Sequence, residues 1–388
     1  MSAVPSRNLA SFYFLYFGVL GCVSPYWALY LQGRGFSPQE IGSLIGAFGL
    51  MRIVAPNVWA ALGHSFPSPL YMVRLAGALT IGCFACIWLA DTLQQVMLVM
   101  LSYGFFWAAM LPQYEAITMQ SFDNKVEDYS RIRMWGSVGF IALVMAAGVL
   151  FDVASVLWLP LLIILLMVAI VINSFILRSH AVHKKTVDGQ GGFLKAALTW
   201  PVISFLLMGI LLQISHGPFY TFFSIYLEEH GYPSTQIGLL WAVGVIAEVI
   251  LFWQFRHMIT LFSWRGWCMV SLALTGLRWL VVAFLPEQPL AMIVAQTMHA
   301  FSFGAMHIIA MRYVQLFFPG RLQGQGQALY SSIGFGLGGA AGAWLSGQLW
   351  ESAGSTMVFI LAALAAVAGM AVVAVGLKSA TDCPQYGR

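Results

Sequence analysis

Residues Tyr226–Val249 read YLEEHGYPSTQIGLLWAVGVIAEV, and residues 30–53 read YLQGRGFSPQEIGSLIGAFGLMRI. Tyr-Leu, a Gly before an aromatic residue, Ile-Gly and a later Leu recur at a constant offset of 196, about half of the 388-residue chain. Nearly the same offset returns farther on, where Trp135-Gly-Ser-Val-Gly-Phe140 precedes Tyr330-Ser-Ser-Ile-Gly-Phe335 by 195 residues. The chain therefore reads as one unit written twice. The second copy also raises a chemical question, because Glu248 stands in an otherwise apolar run.

Hydrophobic residues make up 60% of the sequence and charged residues 8%, whereas a soluble domain carries about 25% charge. The solvent for most of this chain is lipid. A bilayer core needs roughly 20 apolar residues per helical crossing, and the chain offers twelve such runs, near 8–31, 38–62, 70–90, 93–121, 132–152, 155–178, 200–227, 233–257, 265–285, 289–317, 322–350 and 354–377. They lack the alternation of a barrel wall, so the expected class is an all-α membrane protein. The first run outlasts a signal-peptide core and is expected to stay as a helix.

The longest polar connection, SHAVHKKTVDGQGGFLK at Ser179–Lys195, lies between runs six and seven. It divides the chain into an N-terminal bundle at 1–178, a cytoplasmic linker at 179–198 and a C-terminal bundle at 199–388. Two similar six-helix halves suggest parallel repeats, with the substrate bound near mid-membrane between them. Of the eighteen Lys and Arg residues, only Arg34 falls in an odd-numbered connection. By the positive-inside rule both termini are cytoplasmic, and the +4 net charge reflects topology, not nucleic-acid binding. Gly334, Gly338 and Gly342 recur every four residues, a pattern for close helix contact, and His216-Gly217-Pro218 predicts a kink. Cys83 and Cys86 form a C-x-x-C inside an apolar helix with no second ligand pair, so packing is the expected role.

Ionisable groups inside a bilayer cost about 2.5–3.5 kcal/mol each and usually face a partner or a water-filled cavity. Arg52, Glu115, Arg133, Glu248, Arg278, His299 and His307 all fall inside the predicted spans. Glu248 has no basic neighbour in its own helix and reads as functional. Arg52 and Arg278 could instead tie helices together, and His307 could be a packing histidine. Gln296, His299, Ser302, Phe303 and Met306 share one helical face, as do Gln213, His216, Tyr220 and Phe223. With Tyr26, Trp27 and Tyr30 these suggest the wall of a cavity. No H-E-x-x-H, G-x-S-x-G or carboxylate-rich cluster points to an enzyme, and no cofactor is expected beyond a proton gradient.

The chain resembles the major facilitator superfamily, in particular the proton symporters around lactose permease. The resemblance rests on Pro112-Gln-Tyr-Glu115-Ala followed eighteen residues after the Glu by the second Arg of Arg131-Ile-Arg133-Met-Trp-Gly-Ser-Val-Gly139. It implies that Glu115 and Arg133 form a substrate-binding pair and that Arg278 and His299 belong to a proton-handling network. Ser302 stands where that group has a Glu, and the loop after the second span keeps Gly63 but no Asp. The pattern at Ile237–Val249, Arg278-Trp279 and Met311-Arg-Tyr313 is similar to phenylpropionate permeases. The implied function is proton-coupled import of a small aromatic or other organic monocarboxylate by a functional monomer in a bacterial inner membrane. Arg133, Glu115, Trp27, Tyr26, Gln296 and His216 would bind substrate, and Glu248, His299 and Arg278 would handle the proton. A sugar or nucleoside symporter, or a drug exporter, on the same scaffold is the alternative.

Overall fold

Within hydrocarbon a backbone N–H or C=O finds no water, so a crossing segment must satisfy its own hydrogen bonds as a helix. A computed structural model describes residues 6–122, 125–177 and 192–377. Among the described residues the secondary structure is helical and contains no strand. The spans are α1 (Ser6–Gly33), α2 (Pro38–Leu62), α3 (Pro69–Leu89), α4 (Leu93–Ser121), α5 (Glu127–Val153), α6 (Val156–Ile176), α7 (Trp200–Glu229), α8 (Ser234–Met258), α9 (Trp264–Phe284) and α10 (Pro289–Phe317). They continue with α11 (Gln323–Tyr330 and Gly339–Ala353, joined by Ser331–Gly338) and α12 (Ser355–Gly376). Eleven are long and apolar enough to cross a membrane; α11 is the exception, being rich in Gly and Gln.

The ends of the spans carry local stop and start chemistry. Ser37 and Glu40 form a capping box ahead of α2, with Glu40 accepting from the Ser37 N–H at 2.9 Å. Ser263 caps α9 by accepting from Gly266 N–H at 3.1 Å. Such side-chain oxygens satisfy the donors a helix leaves open at its first turn.

Two compact units result, Met1–Lys184 with Gly231–Ala242, and Lys185–His230 with Val243–Arg388. The expected linker at 179–198 lies mostly on residues outside the described ones, as do Arg178, Lys184, Lys185, Lys378 and Arg388. The first turns of α8, expected within the C-terminal bundle, group with the first unit.

In the first unit α1 packs along α5 and α6, and α3 packs against α4 and α6. In the second, α7 packs along α11 and α12, and α9 packs against α10 and α12. Each pairing recurs six helices later, which is the duplication expressed as packing. Glycines make the central crossings possible. A Cβ at Gly21 would lie 2.6 Å from the Phe140 carbonyl oxygen, and one at Gly217, 196 residues later, would collide with the Gly342 backbone. Gly217 thus has a packing role, and α7 stays helical through Pro218. Of the α11 glycines, Gly338 and Gly342 admit Ile210 and Ile214, whereas Gly334 meets only ordinary contact distance.

The basic residues at the same helix ends repeat as well. Arg74 on α3 donates to the Ser174 and Leu177 carbonyls at 2.8 and 3.2 Å. Arg265 on α9 donates to the Ala374 carbonyl at 2.6 Å. Both satisfy acceptors at the C-terminal end of a helix, where the backbone partial charge is negative.

Candidate functional site

The first unit assembles a charge pair on an aromatic floor. Arg133, at the start of α5, places Nε 3.7 Å from Oε1 of Glu115 on α4, with the two side chains 32% and 36% exposed. Its guanidinium lies 4.0 Å above the Phe17 ring and 5.6 Å from the Tyr13 ring. Gly136 leaves that space open, since a Cβ there would be 2.9 Å from Arg133 Nη1 and 2.7 Å from Phe17. Tyr129, one turn before Arg133, places its hydroxyl near both members of the pair. Arg52 is exposed and, like Glu115 and Arg133, acts electrostatically on the Tyr16 hydroxyl. Three intramembrane charges predicted from sequence therefore share one neighbourhood.

Tyr26 and Trp27 stand apart from it. Tyr26 is fully buried, its hydroxyl 3.1 Å from both the Val144 and Ser234 carbonyls. Gly148 and Gly238 border that hydroxyl, and a Cβ at either would come within 2.7 Å of it. Trp27 is stacked on Tyr30 at 4.9 Å and tilted against Phe84 at 5.5 Å.

The second unit holds a buried polar cluster. Arg278 on α9 is wholly inaccessible and donates through Nη1 to His299 Nδ1 and Ser302 Oγ, each at 3.0 Å, and through Nη2 to Gln296 Oε1 at 3.1 Å. Its guanidinium carbon lies 4.3 Å from the ring centres of both Phe219 and Trp279. Glu248 on α8 reaches from the other side, with Oε2 3.9 Å from His299 Nε2. A Cβ at Gly304 would be 3.1 Å from Glu248 Cγ, so this glycine gives the acid its room. The π-helical turn Ala300–Ala305 follows His299 directly; such turns concentrate at functional sites.

Hydrogen-bond logic assigns the imidazole protons. An arginine can only donate, so His299 Nδ1 is the acceptor and the ring is neutral with its proton on Nε2, facing Glu248. His216 works in the opposite sense. Its Nδ1 lies 2.8 Å from the Leu212 carbonyl and must carry the proton, which leaves a buried Nε2 lone pair with no protein partner. Among the described residues no carboxylate lies within ion-pair distance of Arg278. His307 is exposed on α10 and takes no part in these bonds.

Sequence reasoning missed Tyr129 and the two rings around Arg278. The signals were the four-residue spacing of Tyr129 from Arg133, and the adjacency of Trp279 to Arg278. No group of His, Cys, Asp and Glu able to hold a metal occurs among the described residues.

Apolar helices that carry such polar clusters within them have counterparts among known proteins. A profile of the MFS_1 like family matches residues 6–361. The chain belongs to that family. It is 30% identical over 373 residues to the probable 3-phenylpropionic acid transporter of Escherichia coli (strain K12), covering 93% of this chain and 95% of the relative. It is 24% identical over 370 residues to the maltose permease of Geobacillus stearothermophilus, covering 93% and 92%. Among solved structures, the nucleoside transporter NupG aligns with a TM-score of 0.84 at 16% identity, covering 96% of this chain and 99% of that one. A bacterial homologue of the human lysosomal transporter Spinster aligns at 0.63 and 15% identity, covering 96% and 94%. Both structures support the fold alone. The protein is a multi-pass membrane transporter of the major facilitator type, not an enzyme.

Proposed function

We propose that this transporter imports a small aromatic monocarboxylate together with a proton, by alternating access, as a monomer in a bacterial inner membrane with both termini cytoplasmic. The observation that carries the reading is the pairing of intramembrane arginines with aromatic rings, Arg133 over Phe17 and Arg278 against Phe219 and Trp279. A planar guanidinium fork matches a carboxylate, and the neighbouring rings suit an aromatic body. The likeness to a probable 3-phenylpropionic acid transporter points to the same substrate class.

The energetics call for a proton. An anion entering an inside-negative cell is opposed by about 2.3 kcal/mol per 100 mV, and a proton moving with it cancels the charge. Glu248 is the proton carrier, since an acid in an apolar helix holds or sheds its proton according to water access. Arg133 receives the carboxylate by exchanging it for Glu115.

The test is uptake into proteoliposomes under an imposed pH gradient, acid outside, over a panel of benzoates, phenylpropionates, maltose and nucleosides. Accumulation of an aromatic carboxylate is the expected result. Accumulation of a sugar or nucleoside with no response to carboxylates would overturn the reading.

A further inference from the structure

The second unit contains a charge whose compensation depends on one proton. Arg278 is fully buried and its three hydrogen-bond acceptors, His299, Ser302 and Gln296, are all neutral. The acid of the cluster is Glu248, reached through the neutral His299 ring. With Glu248 ionised, the arginine and the acid sum to zero. With Glu248 protonated, the cluster carries one net positive charge in a setting where an unmatched charge is strongly disfavoured.

We infer that Arg278 is the counter-charge for the transported carboxylate once Glu248 is protonated, so that one buried site couples proton to anion. This rests on the anion-importer reading and shifts the deep anion contact from Arg133 to Arg278. Two further observations support it. Arg133 already has its acid at 3.7 Å, whereas among the described residues Arg278 has none at ion-pair distance. In addition, Arg278 Nε and Gln296 Nε2 are buried donors without a protein partner, and an incoming carboxylate has the acceptors they lack.

The order of events follows from charge alone. A proton binds the Glu248 carboxylate, the substrate carboxylate then enters beside Arg278, and no bond other than that O–H is made or broken. Among the described residues, the titratable groups facing the cluster include Glu248 from α8, Arg278 from α9, His299 from α10, and His216 and Tyr220 from α7. His299 cannot take the proton while Arg278 donates to its Nδ1, and Glu248 is the group that changes charge.

The experiment measures 3-phenylpropionate binding to purified protein in detergent between pH 5.5 and 8.5. Wild type, Glu248→Gln, Arg278→Lys, Arg133→Gln and the double variant Glu248→Gln/Arg278→Gln are compared. The wild type should weaken as pH rises, towards about tenfold per unit, the limit for one proton. Glu248→Gln should bind tightly with no pH dependence. The double variant removes acid and base together, keeps the cluster neutral for folding, and should lose about 100-fold or more relative to Glu248→Gln, the scale of a desolvated charge contact. Arg278→Lys should fall between, while Arg133→Gln should keep the pH dependence. Binding by the double variant equal to that of Glu248→Gln would overturn the Arg278 assignment alone, as would a Glu248→Gln profile that still follows pH. Absence of binding by the wild type would overturn both this inference and the reading beneath it.

Discussion

Arg278 Nη1 and His299 Nδ1 stand 3.0 Å apart, and since only the guanidinium has a proton to give, the arginine holds the imidazole neutral with its N–H turned towards Glu248. The two functions of that ring can be separated. His299→Asn places an amide oxygen near the Nδ1 position and keeps the acceptor for Arg278 but loses the donor to Glu248. His299→Gln keeps a donor and loses the acceptor. The Asn variant should retain near wild-type thermal stability yet move the pH profile of uptake upward, because an ionised Glu248 loses an N–H that stabilised it. The Gln variant should be less stable by about 1.5–3 kcal/mol, the scale of a hydrogen bond to a charged group. Thermal unfolding and uptake against pH, run side by side, check both.

The Glu115–Arg133 pair is a third exposed and loosely spaced at 3.7 Å, so its net contribution to stability should be within about 1 kcal/mol. Glu115→Gln should fold normally and leave Arg133 on Phe17, available to anions without competition. The expected outcome is carboxylate affinity equal to or above wild type together with slower release. Arg133→Ala should weaken carboxylate affinity. Tyr129→Phe removes a hydroxyl that lies near both partners and should weaken binding by about 2- to 10-fold, the worth of one hydrogen bond of about 0.5–1.5 kcal/mol. Equilibrium binding on the three variants distinguishes these effects, and a Tyr129→Phe protein with unaltered affinity would remove that tyrosine from the site.

The helix crossings make a prediction about stability that is independent of substrate. A Cβ at Gly139 would run into the Phe14 carbonyl, and one at Gly217 into Gly342, while one at Gly334 meets nothing closer than 3.8 Å. Gly139→Ala and Gly217→Ala should each destabilise by about 1–3 kcal/mol through overpacking. Gly334→Ala should be neutral or mildly stabilising, because alanine is the better helix former. Melting temperatures in one detergent would decide it, and equal losses at all three positions would contradict the packing described.

The positions of the spans could be read from composition because lipid imposes both length and apolarity, although α11, counted among the twelve runs, is less apolar than the other eleven. The neighbourhood of Glu115 and Arg133 was likewise foreseeable, since charges in hydrocarbon need partners and few were available. What could not be read was direction. Nothing in the order of residues says that Arg278 donates to Nδ1 and not Nε2 of His299. Tyr129 carries no charge and lies near a helix end, where an aromatic residue is unremarkable. Tyr26 and Trp27, expected to cover a substrate ring, are buried, and an aromatic pair on one helix has the same spacing whether it lines a site or fills a core.

Tyr26 offers the last test, because its hydroxyl meets two backbone carbonyls, Val144 and Ser234, each at 3.1 Å, and one O–H can serve only one of them at a time. The second acceptor sits at the first residue of α8, where Asp152 also accepts from the Thr235 N–H at 3.2 Å. Tyr26→Phe keeps the ring against Phe151, 5.1 Å away, and removes only the hydroxyl. It should cost about 1 kcal/mol, the typical value of one buried hydrogen bond, and leave substrate affinity unchanged. Gly238→Ala is the harsher version, since a Cβ there would lie 2.6 Å from the Tyr26 oxygen and 2.7 Å from the Val144 carbonyl. The tyrosine and the start of α8 cannot both keep their places. Its expected effect is a larger loss of stability and of transport rate, with equilibrium affinity measured on the folded fraction little altered. A Tyr26→Phe protein whose affinity for aromatic carboxylates fell tenfold while its melting temperature held would return Tyr26 to the substrate site.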